Sequence, residues 1–286
     1  MNQARFKRLV EAAILSPQYN SKPYVNDYLK VHMKRFTETV ALLQGIAEPG
    51  MRVIDVGSYG SLVPALKDIL GIANIILTEP SQEDKPASED TTLRDSQYGH
   101  KYAFHVDRFD VEGKFPYSDE TFDLVIFTEV LEHLTRDPCQ TLGEINRITK
   151  MKGWCLISTP NCASARSVIR ILLGGNPNIY PVYNRHPSTD RHNHEYVPWE
   201  VRELMHAAGY TPTIFKTVDV YEDYQFTYLG VLFKAVLWFG SFVTLNLIKA
   251  RGRGDTIFVL GRKTSGIQQR YPDFLYAPPK EDSKSE

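Results

Sequence analysis

Apolar side chains at Val25, Leu29, Met33, Phe36, Val40 and Leu43 recur at helical spacing, so residues 24–44 read as one amphipathic helix leading into a core. A turn at Glu48, Pro49 and Gly50 follows, and then the period changes. MRVIDVG (51–57) is a short β-branched run, LVPALKDILG (62–71) a helical one closed by Gly71, and NIILTEP (74–80) a second strand with Glu79 at its carboxyl end. Residues 81–99 are polar and turn-rich and read as a loop where a helix would be usual. YAFHVDRFD (102–110) and TFDLVIFTEVL (121–131) are the third and fourth strands, the latter turning into helix around Thr128 to Leu131. TLGEINRITK (141–150) is amphipathic, MKGWCLISTPN (151–161) a turn and fifth strand, and NCASARSVIRILLGG (161–175) another helix. A long loop of Pro, Asn, His and aromatic residues precedes VPWEVRELMHAAGY (197–210), a helix with Pro198 at its start and Gly209 at its end. DTIFVLGRK (255–263) is a late strand. This alternation implies a doubly wound, mainly parallel α/β sheet with helices on both faces, whose ligands sit beyond the carboxyl ends of the strands.

Composition narrows the class only modestly. The 286 residues, 42% hydrophobic and 23% charged, suit one large globular domain. A net charge of -1 offers no general cationic surface, so no nucleic-acid partner is expected. Cys139, Cys155 and Cys162 lack metal-ligand spacing and read as unpaired thiols of a reducing compartment. The first twenty residues do not read as a secretory leader, and a cytoplasmic location is expected. One stretch disturbs the soluble pattern. Residues 229–253 are strongly apolar apart from Lys234 and end in a basic cluster at Lys249, Arg251 and Arg253. They read as an apolar helical insertion serving ordinary packing, a dimer contact or a peripheral membrane contact. The chain thus divides into an N-terminal helical region (1–44), a main domain (45–263) that includes the insertion at 229–250, and a polar tail (264–286) whose charged end, PPKEDSKSE, is expected to fray.

The first strand-to-helix junction, VIDVGSYGS, places a glycine where the chain turns against a bound ligand. Tyr59 and Ser61 break the spacing of a dinucleotide fingerprint, and no lysine of a triphosphate loop follows. Together with LTEP, DVEGKFPYSDETFDLVIFTEVLEHL and MKGWCLISTPN, this junction resembles the class I S-adenosylmethionine-dependent methyltransferases over residues 45–215, which implies a seven-stranded sheet. On the matching positions the resemblance implies Asp55 and Gly57 near the methionine part of S-adenosylmethionine, with Gly60 as a further loop candidate. It implies Glu79 on the ribose hydroxyls, Asp110 near the adenine amino group, and Glu129 lining the cavity. Chemistry agrees for Glu79, because a vicinal diol offers two donors to one carboxylate.

On the acceptor side, EVLEHL spaces Glu129, Glu132 and His133 by three and four residues, which would set them on one side of a helical turn. Methyl transfer to a hydroxyl needs an aligned nucleophile and a proton acceptor, for which His133 and His194 are candidates with Glu132 orienting an imidazole. The region from 190 onward is similar to a bacterial subgroup associated with surface polysaccharides and other glycosylated products, implying a small-molecule or glycan-like hydroxyl acceptor. Tyr180, Tyr183, Tyr196 and Trp199 can stack on a sugar ring or hold the loop. Two other readings stand beside this metal-free one. Glu129, Glu132 and His133 together with His194 are similar to the metal site of small-RNA 3'-terminal ribose methyltransferases, and the chain can instead be a non-catalytic cofactor-binding or membrane-associated assembly subunit.

Overall fold

The apolar stripe of residues 24–44 folds as two helices, α2 (Pro23–Val31) and α3 (Met33–Gln44), preceded by α1 (Gln3–Leu15). In this computed structural model, which describes residues 3–15, 23–94, 100–178, 180, 191–221 and 252–277, the break falls at His32, with φ -95° and ψ 6°. Hydrogen bonding crosses it nonetheless: His32 N donates to Tyr28 O at 3.0 Å and Phe36 N to His32 O at 3.1 Å.

The strands are β1 (Arg52–Asp55), β2 (Asn74–Glu79), β3 (Ser88–Arg94), β4 (Lys101–Arg108), β5 (Phe122–Thr128), β6 (Thr149–Pro160), β7 (Tyr210–Val218) and β8 (Thr256–Lys263). They form one eight-stranded sheet in the order β3-β4-β2-β1-β5-β6-β8-β7. β4, β2, β1, β5 and β6 run parallel, while β3, and β8 against both β6 and β7, pair antiparallel. The chain starts in the middle at β1, moves outward through β2 to β4, and then crosses back to β5. The crevice between β1 and β5 is therefore the topological switch point where such sheets take ligands.

Helices α4 (Val63–Asp68), α5 (Pro138–Ile148), α6 (Ala165–Leu172) and α7 (Pro198–Ala207) join the strands. Side chains alternate across the sheet. Val53, Leu124, Ile126 and Leu156 bury against α1 to α4, whereas Ile54, Val125, Phe127 and Ile157 bury against α5 and α7. α5 starts earlier than its apolar period suggests, because Asp137 caps it by accepting from Gln140 N at 3.1 Å. α7 keeps Pro198 in its first turn, and Gly209 beyond its end has φ +85° and lies so close to Ser265 and Gly266 that a side chain would collide.

Three elements differ from the sequence reading. Residues 88–94, inside the expected loop, form edge strand β3, whose inter-strand contacts are polar: Ser88 Oγ donates to Asp107 Oδ1 at 2.8 Å and His105 Nδ1 lies 2.8 Å from Asp90 Oδ1. Charged residues on an edge also discourage pairing with other chains. Together with β7 it brings the count to eight strands where the resemblance implied seven. β7 is the second addition, with Pro212 at a register shift on the opposite edge, where its missing N–H disturbs no ladder. The tail is docked through residue 277, while the PPKEDSKSE end expected to fray lies outside the described residues: Arg270 Nη2 meets Asp137 Oδ2 at 2.6 Å, and Phe274, Leu275 and Tyr276 join the core on the α5 side. The apolar insertion (229–250), along with Tyr183, lies outside the described residues. Among the described residues no helix is long and apolar enough to cross a membrane.

Candidate active site

Every parallel strand ends on one edge, and Asp55, Glu79, Arg108 and Thr128 are the last residues of β1, β2, β4 and β5. Pleating fixes which way they face. Asp55 shares the parity of Val53, and Glu79 that of Ile75 and Leu77, all on the α1 to α4 side.

Asp55 is 1% exposed, and its Oδ2 has no hydrogen-bond partner among the described residues. Burial raises its pKa to about 7, with the Ser58 hydroxyl only partly opposing. A lone buried acid of this kind is costly unless it serves a ligand. Gly57 follows with φ +71°, and a Cβ there would come within 2.6 Å of Val130 Cγ2, so the loop after β1 touches the loop after β5. Gly57 N donates to Thr78 Oγ1 at 3.0 Å and Gly60 N to Ser58 Oγ at 3.2 Å, so both expected donors are engaged within the protein. Gly60, φ +83°, faces Leu77 and Phe104 and lets the loop seat on the sheet.

Glu79 is not alone. Arg108 Nε donates to its Oε2 at 2.9 Å while the same guanidinium reaches Glu89 and the Pro86 carbonyl. Among the described residues Oε1 accepts no hydrogen bond, which leaves one oxygen for a diol. Asp110 is more than half exposed. Its Oδ1 accepts from Glu112 N at 2.9 Å and its Oδ2 from Arg136 Nη2 at 2.5 Å. Its neighbour Asp107 is occupied by Ser88, His105 and Tyr117 in a structural network.

The EVLEHL segment is not an α-helical turn. Glu129 has φ +55°, and residues 131–133 form one turn of 3-10 helix. Ser158 and Thr159, adjacent on β6 and hence on opposite faces, divide the acids between them: Ser158 Oγ donates to Glu129 Oε1 at 2.7 Å and Thr159 Oγ1 to Glu132 Oε2 at 2.8 Å. Glu129 therefore lies on the α3 side, and Glu132 with His133 on the other.

On the α3 side stands a group that the sequence reading missed. Arg35 Nη1 is 2.8 Å from Glu129 Oε2, with both side chains nearly buried. Arg35 Nη2 donates to Tyr28 Oη at 2.9 Å, and Tyr221 Oη donates to Glu129 Oε2 at 3.1 Å. Burial pushes the Glu129 pKa up, but Arg35 and the Ser158 and Tyr221 hydroxyls more than offset it, and the carboxyl ends below its usual range. The signal was present: Tyr28, His32, Arg35 and Thr39 follow a 4-3-4 spacing beside the apolar stripe. Taken alone, it reads as a solvated flank.

On the other side, burial and then Glu129 raise the Glu132 pKa well above the ordinary value. His133 Nδ1 lies 3.0 Å from the Arg191 carbonyl and His192 Nδ1 2.7 Å from Glu195 Oε1. Ligand atoms of Glu132, His133 and His192 all fall within 4.8 Å of one another. The histidine that joins Glu132 and His133 is thus His192, not His194. The His194 side chain is about half exposed, with Nε2 3.8 Å from Glu200 Oε2 and its ring against Tyr196. A cavity of about 580 Å³ between Asp119, Asn146, Arg147 and Lys263 contains none of the candidate residues. It opens at the other edge of the sheet, and its Lys263 is held by the Asn146 and Thr149 carbonyls.

A doubly wound sheet with a glycine turn at its switch point and acids ending successive strands defines the class I methyltransferase fold. The chain belongs to the family described as Methyltransferase domain, whose profile matches residues 28–213. That span contains every candidate on α2, α3 and the carboxyl edge except Tyr221. An uncharacterized methyltransferase of Schizosaccharomyces pombe is 32% identical over 117 residues, 40% of this chain, and the match spans only 41% of that protein. Two solved structures share the fold. A chain from the complex between the Haloferax volcanii Trm112 methyltransferase activator and a methyltransferase is 19% identical with a TM-score of 0.56, covering 91% of this chain and 98% of that one. A SAM-dependent methyltransferase from Archaeoglobus fulgidus is 16% identical with a TM-score of 0.50, covering 85% and 100%.

Proposed function

We propose that the protein transfers a methyl group from S-adenosylmethionine to a hydroxyl of a sugar or other small molecule. The observation that carries the cofactor assignment is the buried Asp55 carboxyl, unpartnered at Oδ2 beside the Gly57 turn, with Glu79 Oε1 at the end of the adjacent strand. These groups fit a cationic amino-acid tail at one end and a ribose diol at the other. When bound, the cofactor supplies an electrophilic methyl on a sulfonium. The residues of this chain then have three tasks: Asp55 at the amino-acid tail and Glu79 at the ribose orient the cofactor, the Gly57–Val130 contact narrows the crevice, and Glu129 offers a carboxylate near the acceptor. Arg35 keeps that carboxylate ionised inside the protein. The test is transfer of labelled methyl from S-adenosylmethionine to a panel of methyl glycosides and polyols. Labelled ether products support the reading; labelling confined to amine or thiol acceptors contradicts it.

A second reading adds a divalent cation, favoured by the convergence of Glu132, His133 and His192. Each ring has Nδ1 beside a carbonyl or carboxylate oxygen, an arrangement that presents Nε2 as the lone-pair nitrogen. A metal-dependent RNA 3'-terminal ribose methyltransferase would use such a set, here with His192 in place of His194 and without Glu129, which Arg35 holds. Metal-free chemistry predicts full activity in EDTA. Loss of activity that manganese or magnesium restores favours the second reading. The apolar segment at 229–253 is assigned to a packing, dimer or peripheral membrane contact, tested by flotation with anionic liposomes and by sedimentation.

A further inference from the structure

We propose that His32, at the junction of α2 and α3, contacts the acceptor hydroxyl and receives its proton, in a pocket walled by Tyr28 and Tyr221. The inference rests on the hydroxyl-methylation reading and adds to it a residue that neither the motifs nor the strand ends indicate.

Position comes first. Asp55, Glu79 and the Ser158–Glu129 pair face the α1 to α4 side of the carboxyl edge, and α3 is bound there through the Arg35–Glu129 ion pair of 2.8 Å. Gly57 meets Val130, the residue after Glu129, so the cofactor turn and this cluster share one crevice. The His133, His192 and Glu132 group lies across the sheet from Asp55. A base acting at the methyl carbon belongs on the side that Asp55 faces.

Chemistry singles out His32 within the cluster. Its Nδ1 is buried and has no hydrogen-bond partner among the described residues, a defect that destabilises a protein when nothing binds there. Such an atom is rare in a native structure, and a catalytic role is one of the few physical reasons for it. The ring lies 4.2 Å from Tyr28, centroid to centroid, and 5.5 Å edge-on from Tyr221. Tyr28 is 46% exposed, which leaves this wall open toward solvent. Aromatic walls beside a lone polar acceptor suit a carbohydrate, whose C–H face stacks while one hydroxyl donates.

Burial, and next Arg35, lower the His32 pKa to about 3, with Glu129 opposing, so the imidazole stays neutral with its lone pair intact. A weak base is sufficient here. As the hydroxyl oxygen forms its new O–C bond, the S–C bond breaks and its electron pair stays on sulfur. The oxygen becomes oxonium-like and far more acidic than an imidazolium, and its proton passes to His32. The positive charge thus moves from sulfonium to imidazolium, where the Glu129 carboxylate opposes the nearby Arg35. The products are an ether, a neutral thioether and a protonated His32 that returns its proton to water.

The experiment uses the full chain, S-adenosylmethionine and methyl glycosides as acceptors, comparing wild type with His32→Asn and His32→Gln. Expected are unchanged folding by thermal melting, S-adenosylmethionine affinity within about twofold by calorimetry, and a single-turnover rate lowered at least about a hundredfold, within the range for a lost acid–base group. A readout independent of turnover is nitrogen NMR of the histidine rings. With S-adenosylhomocysteine bound, acceptor should shift the Nδ1 resonance of His32 and leave His133 and His192 in place. Wild-type turnover with an undiminished rate in the soluble variant overturns this inference alone, as does an unmoved His32 signal. No ether product from wild type overturns the hydroxyl reading and this inference with it.

Discussion

The two halves of the crevice solve the same electrostatic problem in opposite ways. At the end of β1, Asp55 is buried with no cation among the described residues near enough to hold its charge, and its pKa rises to about 7. Across the switch point, Glu129 is nearly buried but is ionised, because Arg35 reaches it from α3. The first arrangement is unfinished until a cationic ligand arrives; the second is complete in the protein alone. On the proposed reading one half takes its counter-charge from the cofactor, while the other presents a fixed charge to an acceptor that brings none.

Breaking the completed half should have the largest effect. Arg35→Ala leaves Glu129 uncompensated and should destabilise the fold by roughly 3–5 kcal/mol in urea denaturation, while Arg35→Leu with Glu129→Leu should recover much of that loss. A single-variant cost below about 1 kcal/mol, the scale of an exposed pair, would show that the ion pair is not buried in solution.

The unfinished half should instead gain stability when its charge is removed. The folded-state pKa of Asp55 is raised from 3.8 to about 7, so its contribution is intact below about pH 4 and is lost as pH rises toward 7. At 1.36 kcal/mol per unit the loss is about 4 kcal/mol. Asp55→Asn should therefore stabilise the ligand-free protein more at pH 8 than at pH 4, and weaken S-adenosylmethionine binding. Equal stabilisation at both pH values would place Asp55 in water. His32 works in the reverse direction. Its pKa is lowered from 6.5 to about 3, so stability is intact above about pH 6.5 and declines as pH falls. The loss should be about 2 kcal/mol by pH 5, and His32→Asn should abolish that part of the acid limb in a pH series of melts.

The turn between the halves should respond least. Gly57→Ala puts a Cβ at φ +71° and 2.6 Å from Val130 Cγ2, costing about 1–3 kcal/mol from the backbone conformation alone. Trimming the neighbour, as in Gly57→Ala with Val130→Ala, should relieve the clash but not the backbone term. Full recovery in the double variant would mean that the positive φ carries no strain.

The same division explains what the sequence disclosed. Asp55, Gly57, Glu79 and Asp110 sit at or just beyond strand ends, where a local change of period from strand to turn marks them. Arg35 and His32 carry no such mark, since a polar stripe beside an apolar one is what any surface helix shows. Tyr221 follows β7 and meets Glu129 from 92 positions away, a contact that no spacing along the chain reveals. β3 escaped notice because Leu93 is its only large apolar residue, so pairing with β4, and not a hydrophobic face, makes it a strand. EVLEHL misled for a related reason: its helical spacing is genuine, but the left-handed Glu129 separates its acids across the sheet.

The most direct test of the account is calorimetric titration of S-adenosylmethionine into wild type, Glu79→Ala and His194→Ala. Binding at one site per chain, weakened at least about tenfold, or 1.4 kcal/mol, by the Glu79 change and untouched by the His194 change, is the result the account predicts. Equal affinity in wild type and Glu79→Ala would contradict it, since the nucleoside would then be held elsewhere than at the carboxyl edge of β1 and β2.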